Sequence, residues 1–233
     1  EILSKPYVAM TLEVMAAFGV EVGAAADFSR FTIPGGCYRP CDYHIEGDAS
    51  NASYFWAAAA VCGGCVTVEN VPVPSLQGVT MLDPLLSRRG CTVEQQGMGI
   101  KVVGPESLGP ITVDMGDMPD VVPTLAVVAA FAEGASEISN IAHLRIKECD
   151  RLSATTTELR KLGVVVDEFD DRMVIHGKGG AGMRAAEIET YEDHRMAMSM
   201  AVAGLRVAGV RILDEKCVAK SFPDFWERFT TLY

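Results

Sequence analysis

The chain has 233 residues, of which 49% are hydrophobic, and it carries a formal net charge of −11 at pH 7. This length and composition predict a folded protein with a full core and exclude a disordered chain. The negative charge argues against nucleic acid and anionic membranes as partners, because binding to phosphate backbones relies on broad Lys and Arg surfaces. Long apolar runs such as 125–132 are also far too short to span a bilayer.

Seven cysteines, an odd number scattered along the chain, suit a reducing cytoplasm better than a disulfide framework. The pair Cys62 and Cys65 has the spacing of a redox or zinc half-site, but no second pair with metal-binding spacing accompanies it. We therefore expect neither a metal nor a cofactor. The chain starts without Met, at Glu1, which indicates a piece of a longer polypeptide.

Three segments repeat one plan along the chain: an amphipathic helix that ends at Gly, a strand, a polar turn and a second strand. They span 10–35, 81–104 and 152–177. The glycines predicted to end the helices, Gly19, Gly90 and Gly163, lie 71 and 73 residues apart. The first copy has its strands in "FGVEV" and "RFTIPG".

A second element repeats in the same phase: an acidic residue, an Ala-rich apolar helix, a Gly and a short strand. Its copies begin at Asp48, Asp120 and Asp193, spaced by 72 and 73 residues, and we expect each aspartate to cap its helix. Helices that alternate with β-branched strands predict α/β packing with the Ala-rich helices buried. Phe55 and Trp56 on the first of these helices are expected in the core.

The repeats predict two domains and leave one of them incomplete. Residues 1–46 supply only the later half of a unit, and the loop "GGCYRPCDYHIE" is expected to cross between domains. Residues 47–233 contain three units, the last of which reaches a helix at the S-x-x-D capping pattern of Ser221 and Asp224 without a following hairpin. A pseudo-threefold domain would need that hairpin from elsewhere, or it would keep an open sheet edge.

The stretch Arg145–Arg151 packs three cationic and two carboxylate side chains into seven residues. Asp150 is predicted to cap the following helix, with Arg151 as its first residue, so Lys147 and Glu148 lie just before a helix N-terminus, where anions are favoured. The plain alternative is a solvated turn with an ion pair between Glu148 and Arg151.

Comparison across the repeats favours a functional role for this stretch. The first unit has the uncharged "PVPSLQG" in the same slot, whereas the third has Cys217–Lys220. A single anion-binding cluster is therefore predicted from Lys147, Arg151, Arg195 and Lys220. Nearby carboxylates, Asp120 and Glu148, are candidates for general base and general acid, although Asp120 could be a simple cap. Tyr7 is either a ligand contact or a surface aromatic.

Six motifs occur in one order along the chain: "SKPYVAMTL", "EGDASNASYFWAAAA", "MPDVVPTLAVVAAFA", "RIKECDRLSATTTELRKLG", "YEDHRMAM" and "CVAKSFPDFWE". Together they resemble the 5-enolpyruvylshikimate-3-phosphate synthase family. That resemblance implies transfer of the enolpyruvyl group of phosphoenolpyruvate to the 5-hydroxyl of shikimate 3-phosphate, with release of phosphate, through a tetrahedral intermediate. The family belongs to the shikimate pathway of aromatic amino acid biosynthesis and is the target of glyphosate.

The resemblance also implies a fold and site roles. It predicts two inside-out α/β barrel-like domains of three βαβαββ units each, here incomplete, with the missing hairpin drawn from the N-terminus of the parent chain. Asp120, Glu148 and Lys147 would be the catalytic residues, with Asp120 as the base at the 5-hydroxyl and Glu148 as the proton donor at the methylene carbon. The other implied roles are contacts to shikimate 3-phosphate for Ser4, Tyr7, His143 and Lys147, and to phosphoenolpyruvate for Arg151, Arg195 and Lys220.

Three positions depart from the family pattern: His143 and Glu192 stand where Asn is usual, and Cys149 stands where Thr is usual. The family's N-terminal substrate-binding motifs are absent from these residues, so we expect the chain alone to be inactive. Two alternatives stay open, a UDP-N-acetylglucosamine enolpyruvyl transferase and a noncatalytic half-domain that binds a complementary chain.

Overall fold

The computed structural model describes residues 3–75, 77 and 82–232. Helix α1, Lys5–Ala17, is followed by Gly19 in the left-handed conformation, with φ at 84°. The short antiparallel strands β1, Gly23–Ala24, and β2, Phe31–Thr32, are exposed. The strand predicted in "FGVEV" is therefore wrong: β1 begins only after it, because Gly19 still belongs to the turn that closes α1.

The first unit of the main body contains the elements α2, Ala49–Cys62, β3, Cys65–Val68, α3, Leu82–Ser87, β4, Thr92–Gln96, and β5, Gly99–Val103. Its sheet has the order β3-β5-β4 and is antiparallel throughout. Asp48 caps α2 as predicted, since its carboxylate accepts from the backbone N–H groups of Ser50 at 2.7 Å and Asn51 at 3.3 Å.

The second unit contains β6, Thr112–Asp114, α4, Val122–Ala130, β7, Glu133–Ser139, α5, Arg151–Lys161, β8, Val165–Glu168, and β9, Met173–Lys178. Its four-stranded sheet has the order β6-β7-β9-β8, in which β6 is parallel to β7 and the other pairs are antiparallel. Gly177 in β9 abuts the carbonyls of α4 and its end, as Gly104 after β5 abuts α2, and neither position has room for a Cβ. These equivalent contacts agree with the predicted repeat.

The third unit contains β10, Glu187–Ile188, α6, His194–Gly204, β11, Arg211–Ile212, a 3-10 turn at Glu215–Lys220, and α7, Phe225–Phe229. Strands β10 and β11 pair in parallel, like β6 and β7. Within the described residues, no hairpin follows α7, and β11 pairs with no strand other than β10. The four sheets do not close into a barrel in this part of the chain, which fits an incomplete domain.

The three Ala-rich helices, α2, α4 and α6, pack on one another at the centre of the molecule. Every residue of α4 is buried, and the hydroxyls of Thr124 and Ser199 lie 3.0 Å apart across the α4–α6 contact. Trp56 is fully buried and donates to the Ile100 carbonyl, whereas Phe55 is partly buried against the aromatic rings of α7. The predicted α/β packing with buried Ala-rich helices is confirmed.

Two predicted helix caps are wrong. Asp120 lies inside a 3-10 turn, Pro119–Val121, and α4 begins afterwards without a side-chain cap. Pro123 occupies the first turn of α4 and has no N–H to offer a capping oxygen. Ser221 closes the preceding 3-10 turn by donating its N–H to Val218, and α7 begins only at Phe225.

Within the described residues, no helix combines the length and apolar character that a membrane crossing requires. The same residues contain no cluster of His, Cys, Asp and Glu that could hold a metal ion, and their seven cysteines are free thiols.

Candidate active site

The loop before α5 holds the charged stretch in place. Asp150 caps α5 as predicted, since its carboxylate accepts from the Ser153 N–H at 2.9 Å. Arg145 binds Asp150 at 2.9 Å and Glu168 at 3.1 Å, and it also donates to two backbone carbonyls between β8 and β9. Arg145 therefore anchors the loop to the neighbouring hairpin, and the turn that carries Lys147 and Glu148 is fixed at both ends.

Arg151 lies at the centre of the cluster, with a side chain that is only 1% exposed. Its Nε donates to Asp193 Oδ2 at 2.7 Å, its Nη1 to Asp120 Oδ1 at 2.9 Å, and its Nη2 to Glu148 Oε2 at 2.6 Å. One guanidinium thus joins carboxylates from the second and third units. The ion pair between Glu148 and Arg151 does exist, but as part of this buried network rather than of a solvated turn.

Asp120 lies close to three more of the predicted site residues, Arg195, Tyr7 and Lys147. Oδ2 accepts from Arg195 Nη2 at 3.0 Å and from the Tyr7 hydroxyl at 3.1 Å, and Lys147 Nζ lies 4.0 Å from Oδ1. Burial raises the pKa of Asp120, but the charges of Arg195, Arg151 and Lys147 outweigh that effect and lower it below its ordinary value. Asp120 is therefore a carboxylate at neutral pH, able to accept a proton or a hydrogen bond.

Glu148 bridges two cations, since Lys220 Nζ donates to its Oε1 at 3.1 Å while Arg151 holds its other oxygen. Burial raises the pKa of Glu148, but a backbone hydrogen bond, Lys220 and Arg151 together bring it down to about 2. In this arrangement Glu148 is fully ionised at neutral pH and has no proton to give.

His143 and Ser4 lie at the margin of the cluster. The pKa of His143 is lowered by burial and by Lys147, with Asp120 opposing, and its Nε2 has no hydrogen-bond partner among the described residues. Ser4 precedes α1 with a left-handed backbone, at φ 58°, and its side chain does not cap the helix. Since Tyr7 reaches Asp120 from the first turn of α1, the same end of that helix faces the site.

Asp193 is a site residue whose role sequence reasoning missed, because it was considered only as a cap. It does cap α6, accepting from the Arg195 N–H at 2.8 Å, but its fully buried carboxylate also holds Arg151. Cys149 donates weakly to the same carboxylate, at 3.6 Å, and burial together with Asp193 raises the pKa of this thiol to about 12. The repeat, which aligns Asp193 with Asp120, was the one available signal.

Two solved structures resemble the fold over almost the whole chain. An EPSP synthase from Acinetobacter baumannii superposes with a TM-score of 0.81 at 30% identity, over 93% of this chain and 52% of that one. The enolpyruvyl transferase NikO from Streptomyces tendae gives 0.79 at 20% identity, over 97% of this chain and 53% of that one, a likeness in fold alone. The repeated units and the cluster between them are thus a domain of the enolpyruvyl transferase class.

The family within that class follows from sequence. The family model of EPSP synthase (3-phosphoshikimate 1-carboxyvinyltransferase) matches residues 1–229, and the chain belongs to this family. Among curated relatives, the 3-phosphoshikimate 1-carboxyvinyltransferase of Nostoc punctiforme is 47% identical over 229 residues, which are 98% of this chain and 53% of the relative. That of Syntrophobacter fumaroxidans is 47% identical over 99% of this chain and 54% of the relative. The chain spans about half the length of these relatives.

Proposed function

We propose that the chain supplies the catalytic carboxylates and half of the anion clamp of an enzyme that transfers the enolpyruvyl group of phosphoenolpyruvate to the 5-hydroxyl of shikimate 3-phosphate. The observation that carries this proposal is the Arg151 guanidinium, which joins both candidate acid–base carboxylates, Asp120 and Glu148, and is shielded from solvent. A buried cation between two carboxylates provides charge for an anionic substrate and proton carriers on either side of it.

Asp120 is the proposed base. Its lowered pKa keeps it ionised, and the hydrogen bond from Tyr7 shows that a hydroxyl donor fits against its Oδ2. When the 5-hydroxyl of shikimate 3-phosphate donates in the same way, its proton passes to Asp120 as the oxygen attacks the central carbon of phosphoenolpyruvate. Ser4, Tyr7, His143 and Lys147 are proposed to hold the remainder of that substrate.

Glu148 is the proposed proton donor, and its contacts explain how it acquires the proton that it donates. The carboxylate occupies the position between Arg151 and Lys220 that an anionic substrate would need. When phosphoenolpyruvate takes these two cations, Glu148 loses the charges that lower its pKa and becomes able to bind a proton. It then delivers that proton to the methylene carbon, forming the tetrahedral intermediate. Phosphate leaves from this intermediate as the new methyl group returns a proton to the Glu148 carboxylate, which restores the carbon–carbon double bond.

Arg195 and Lys220 are proposed to complete the clamp on phosphoenolpyruvate. Arg195 is bound to Asp120 through one nitrogen and faces the buried Tyr54 hydroxyl; burial lowers the pKa of its guanidinium, but Tyr54 and Asp120 outweigh that effect and raise it. A largely buried guanidinium favours an anionic ligand beside it. Lys220 is 58% exposed and held only by Glu148 in the described residues, so it is free to follow the ligand.

The N-terminal remainder of the parent enzyme is the proposed partner. Within the described residues, the third unit lacks the hairpin that the second unit has, and β3, the start of α2 and α7 line a cavity of about 750 Å³. A second groove, of about 470 Å³, runs along α1 beside Tyr7 and Phe31. Residues 1–46 are proposed to belong to the shikimate-phosphate domain and 47–233 to the other. We also propose a cytoplasmic location, from the seven scattered cysteines and the resemblance, and inhibition by glyphosate, from the resemblance.

The test is phosphate release from both substrates by the chain combined with a separately expressed N-terminal half from the parent gene. We expect turnover only in the mixture, and a loss of about 10²–10⁴-fold in Asp120→Asn and in Glu148→Gln. Asp150→Asn is the matched control, because asparagine also caps helices and Asp150 faces Arg145 rather than the cluster. A mixture that stays inactive would support the noncatalytic half-domain, and turnover with a UDP-sugar acceptor instead would support the other transferase.

A further inference from the structure

The turn before α6 has an unfavourable backbone. Asp193 donates its N–H to the Thr190 carbonyl at 2.9 Å, closing a turn whose two central residues, Tyr191 and Glu192, both have φ near +56°. Glycine and asparagine adopt this left-handed conformation readily, whereas tyrosine and glutamate do so at a cost. Such a turn persists only where its surroundings hold it.

The turn is held by a buried carboxylate on α5, that of Glu158. Glu158 has a side chain that is 0% exposed, and its Oε1 accepts from the Tyr191 hydroxyl at 2.7 Å. The other oxygen accepts from the Glu189 N–H at 3.2 Å and lies 3.0 Å from Lys161 Nζ. Glu158 therefore binds the turn through both a backbone N–H and a side-chain hydroxyl.

Helix α5 also binds the other end of the turn, next to the anion site. Arg151 and Glu158 are seven residues apart on α5, about two helical turns, so both side chains leave the same face. Arg151 binds Asp193, the last residue of the turn, and Glu158 binds Glu189 and Tyr191 before it. The left-handed turn is thus held between two points on one helix, and it ends at the residue that orients Arg151 and caps the helix of Arg195.

We infer that Glu158 and Tyr191 are positioning residues of the anion site: they hold the left-handed turn so that Asp193 fixes Arg151 and α6 presents Arg195. Neither touches the proposed ligand position, and their effect passes through Asp193. The inference rests on the proposed function only for the identity of the ligand, since the contacts themselves belong to the protein.

The test first removes the Tyr191 hydroxyl and then relieves the backbone strain in the turn. Two quantities are measured on the full 233-residue chain, well below its unfolding temperature: solvent exchange of the Arg151 Nε–H by NMR, and affinity for sulfate as the anion probe. In Tyr191→Phe we expect faster exchange and about fivefold weaker sulfate binding. Adding Glu192→Gly is expected to restore both, because glycine keeps the turn left-handed without the tyrosine contact.

Two further variants complete the design. Tyr43→Phe is the matched control, since this tyrosine is similarly exposed and contacts only the ring of Phe18 among the interactions described. Glu158→Gln keeps the side-chain shape but has one acceptor oxygen instead of two, so the Tyr191 hydroxyl and the Glu189 N–H cannot both donate to it, and we expect it to act like Tyr191→Phe. The second variant keeps the inference testable if the first does not fold.

A lowered unfolding temperature with unchanged exchange and unchanged sulfate affinity in Tyr191→Phe and Glu158→Gln would overturn the inference, because it would show a role in stability alone. Loss of affinity that Glu192→Gly does not restore would overturn it too. If the unmodified chain binds no sulfate, the proposed anion site fails, while Arg151 exchange still decides whether Tyr191 positions it.

Discussion

The second and third units share one plan but differ in completeness, and they contribute different parts of the cluster. The second unit has a four-stranded sheet and supplies Asp120, Glu148 and the buried Arg151. In the described residues the third has two paired strands, and it supplies the largely buried Asp193 and Arg195 along with the more exposed Lys220. The complete unit thus provides the guanidinium at the fixed centre of the site, and the incomplete unit provides buried partners around it and one cation that can move with a ligand.

The largest expected effect is on stability, at the fixed centre. Arg151→Met leaves the fully buried Asp193 carboxylate without its charged partner, and we expect it to lower the free energy of unfolding by about 3–5 kcal/mol. Lys220→Met, in the incomplete unit, is expected to cost less than about 1 kcal/mol, because the pair it breaks is exposed. Urea denaturation of both variants checks the contrast. Equal losses would contradict the assignment of Arg151 as the buried centre.

A second substitution, at Asp193, tests whether the loss of stability comes from the unpaired charge. Adding Asp193→Asn to Arg151→Met removes the unpaired charge, so the double variant is expected to be more stable than the sum of the two single losses indicates. Additive losses would show that the two side chains do not act as a pair.

The next largest expected effect is on the pH dependence of anion binding at Glu148 and Lys220. Because Glu148 has a pKa of about 2 while Arg151 and Lys220 hold it, displacement by an anion raises that pKa and binds a proton. Sulfate affinity of the chain should therefore fall as pH rises, by about three- to tenfold from about pH 5 to about pH 7. Sulfate itself does not titrate there.

The groups that face Glu148 make the control specific. Besides Arg151 of α5 and Lys220 of the 3-10 turn, the buried His194 of α6 is close enough to influence it, and burial and Arg195 lower the pKa of that histidine. In Glu148→Gln the pH dependence should disappear and sulfate should bind more tightly. A slope that persists in this variant would assign the proton to a histidine instead.

The smallest expected effect is at the strained turn. Glu192→Asn places a residue that tolerates positive φ where Glu192 now has 56°, and it should stabilise the chain by about 0.5–1 kcal/mol. Glu106→Asn, at an exposed position without positive φ, is the control. Thermal unfolding checks both, and a neutral or destabilising Glu192→Asn would argue that the glutamate makes a favourable contact in the turn.

Features that depend on neighbours in sequence could be predicted, and those that depend on distant parts of the chain could not. The Asp150 cap and the glycines that end α1, α3 and α5 were correct, because caps and left-handed ends are local choices of backbone. Asp120 was misread as a cap, since its true partners, Tyr7 and Arg195, are 113 and 75 residues away. The charged cluster was recovered only because the repeat placed equivalent positions in register.

The two short exposed strands near the N-terminus show the same limit. Alternating apolar residues predicted regular strands in 10–35, but β1 and β2 are two residues each and expose both faces. Strand propensity depends on packing against a sheet or helix. In the described part of the chain β1 pairs only with β2, and Phe31 meets α1 only across an open groove.

The measurement that tests the account most directly is the rate of phosphate release from phosphoenolpyruvate and shikimate 3-phosphate, with the chain alone and with its N-terminal half added. The account predicts no turnover by the chain alone and turnover once the missing half supplies the rest of the clamp. Turnover by the 233-residue chain alone, at the rate of the combined halves, would contradict it.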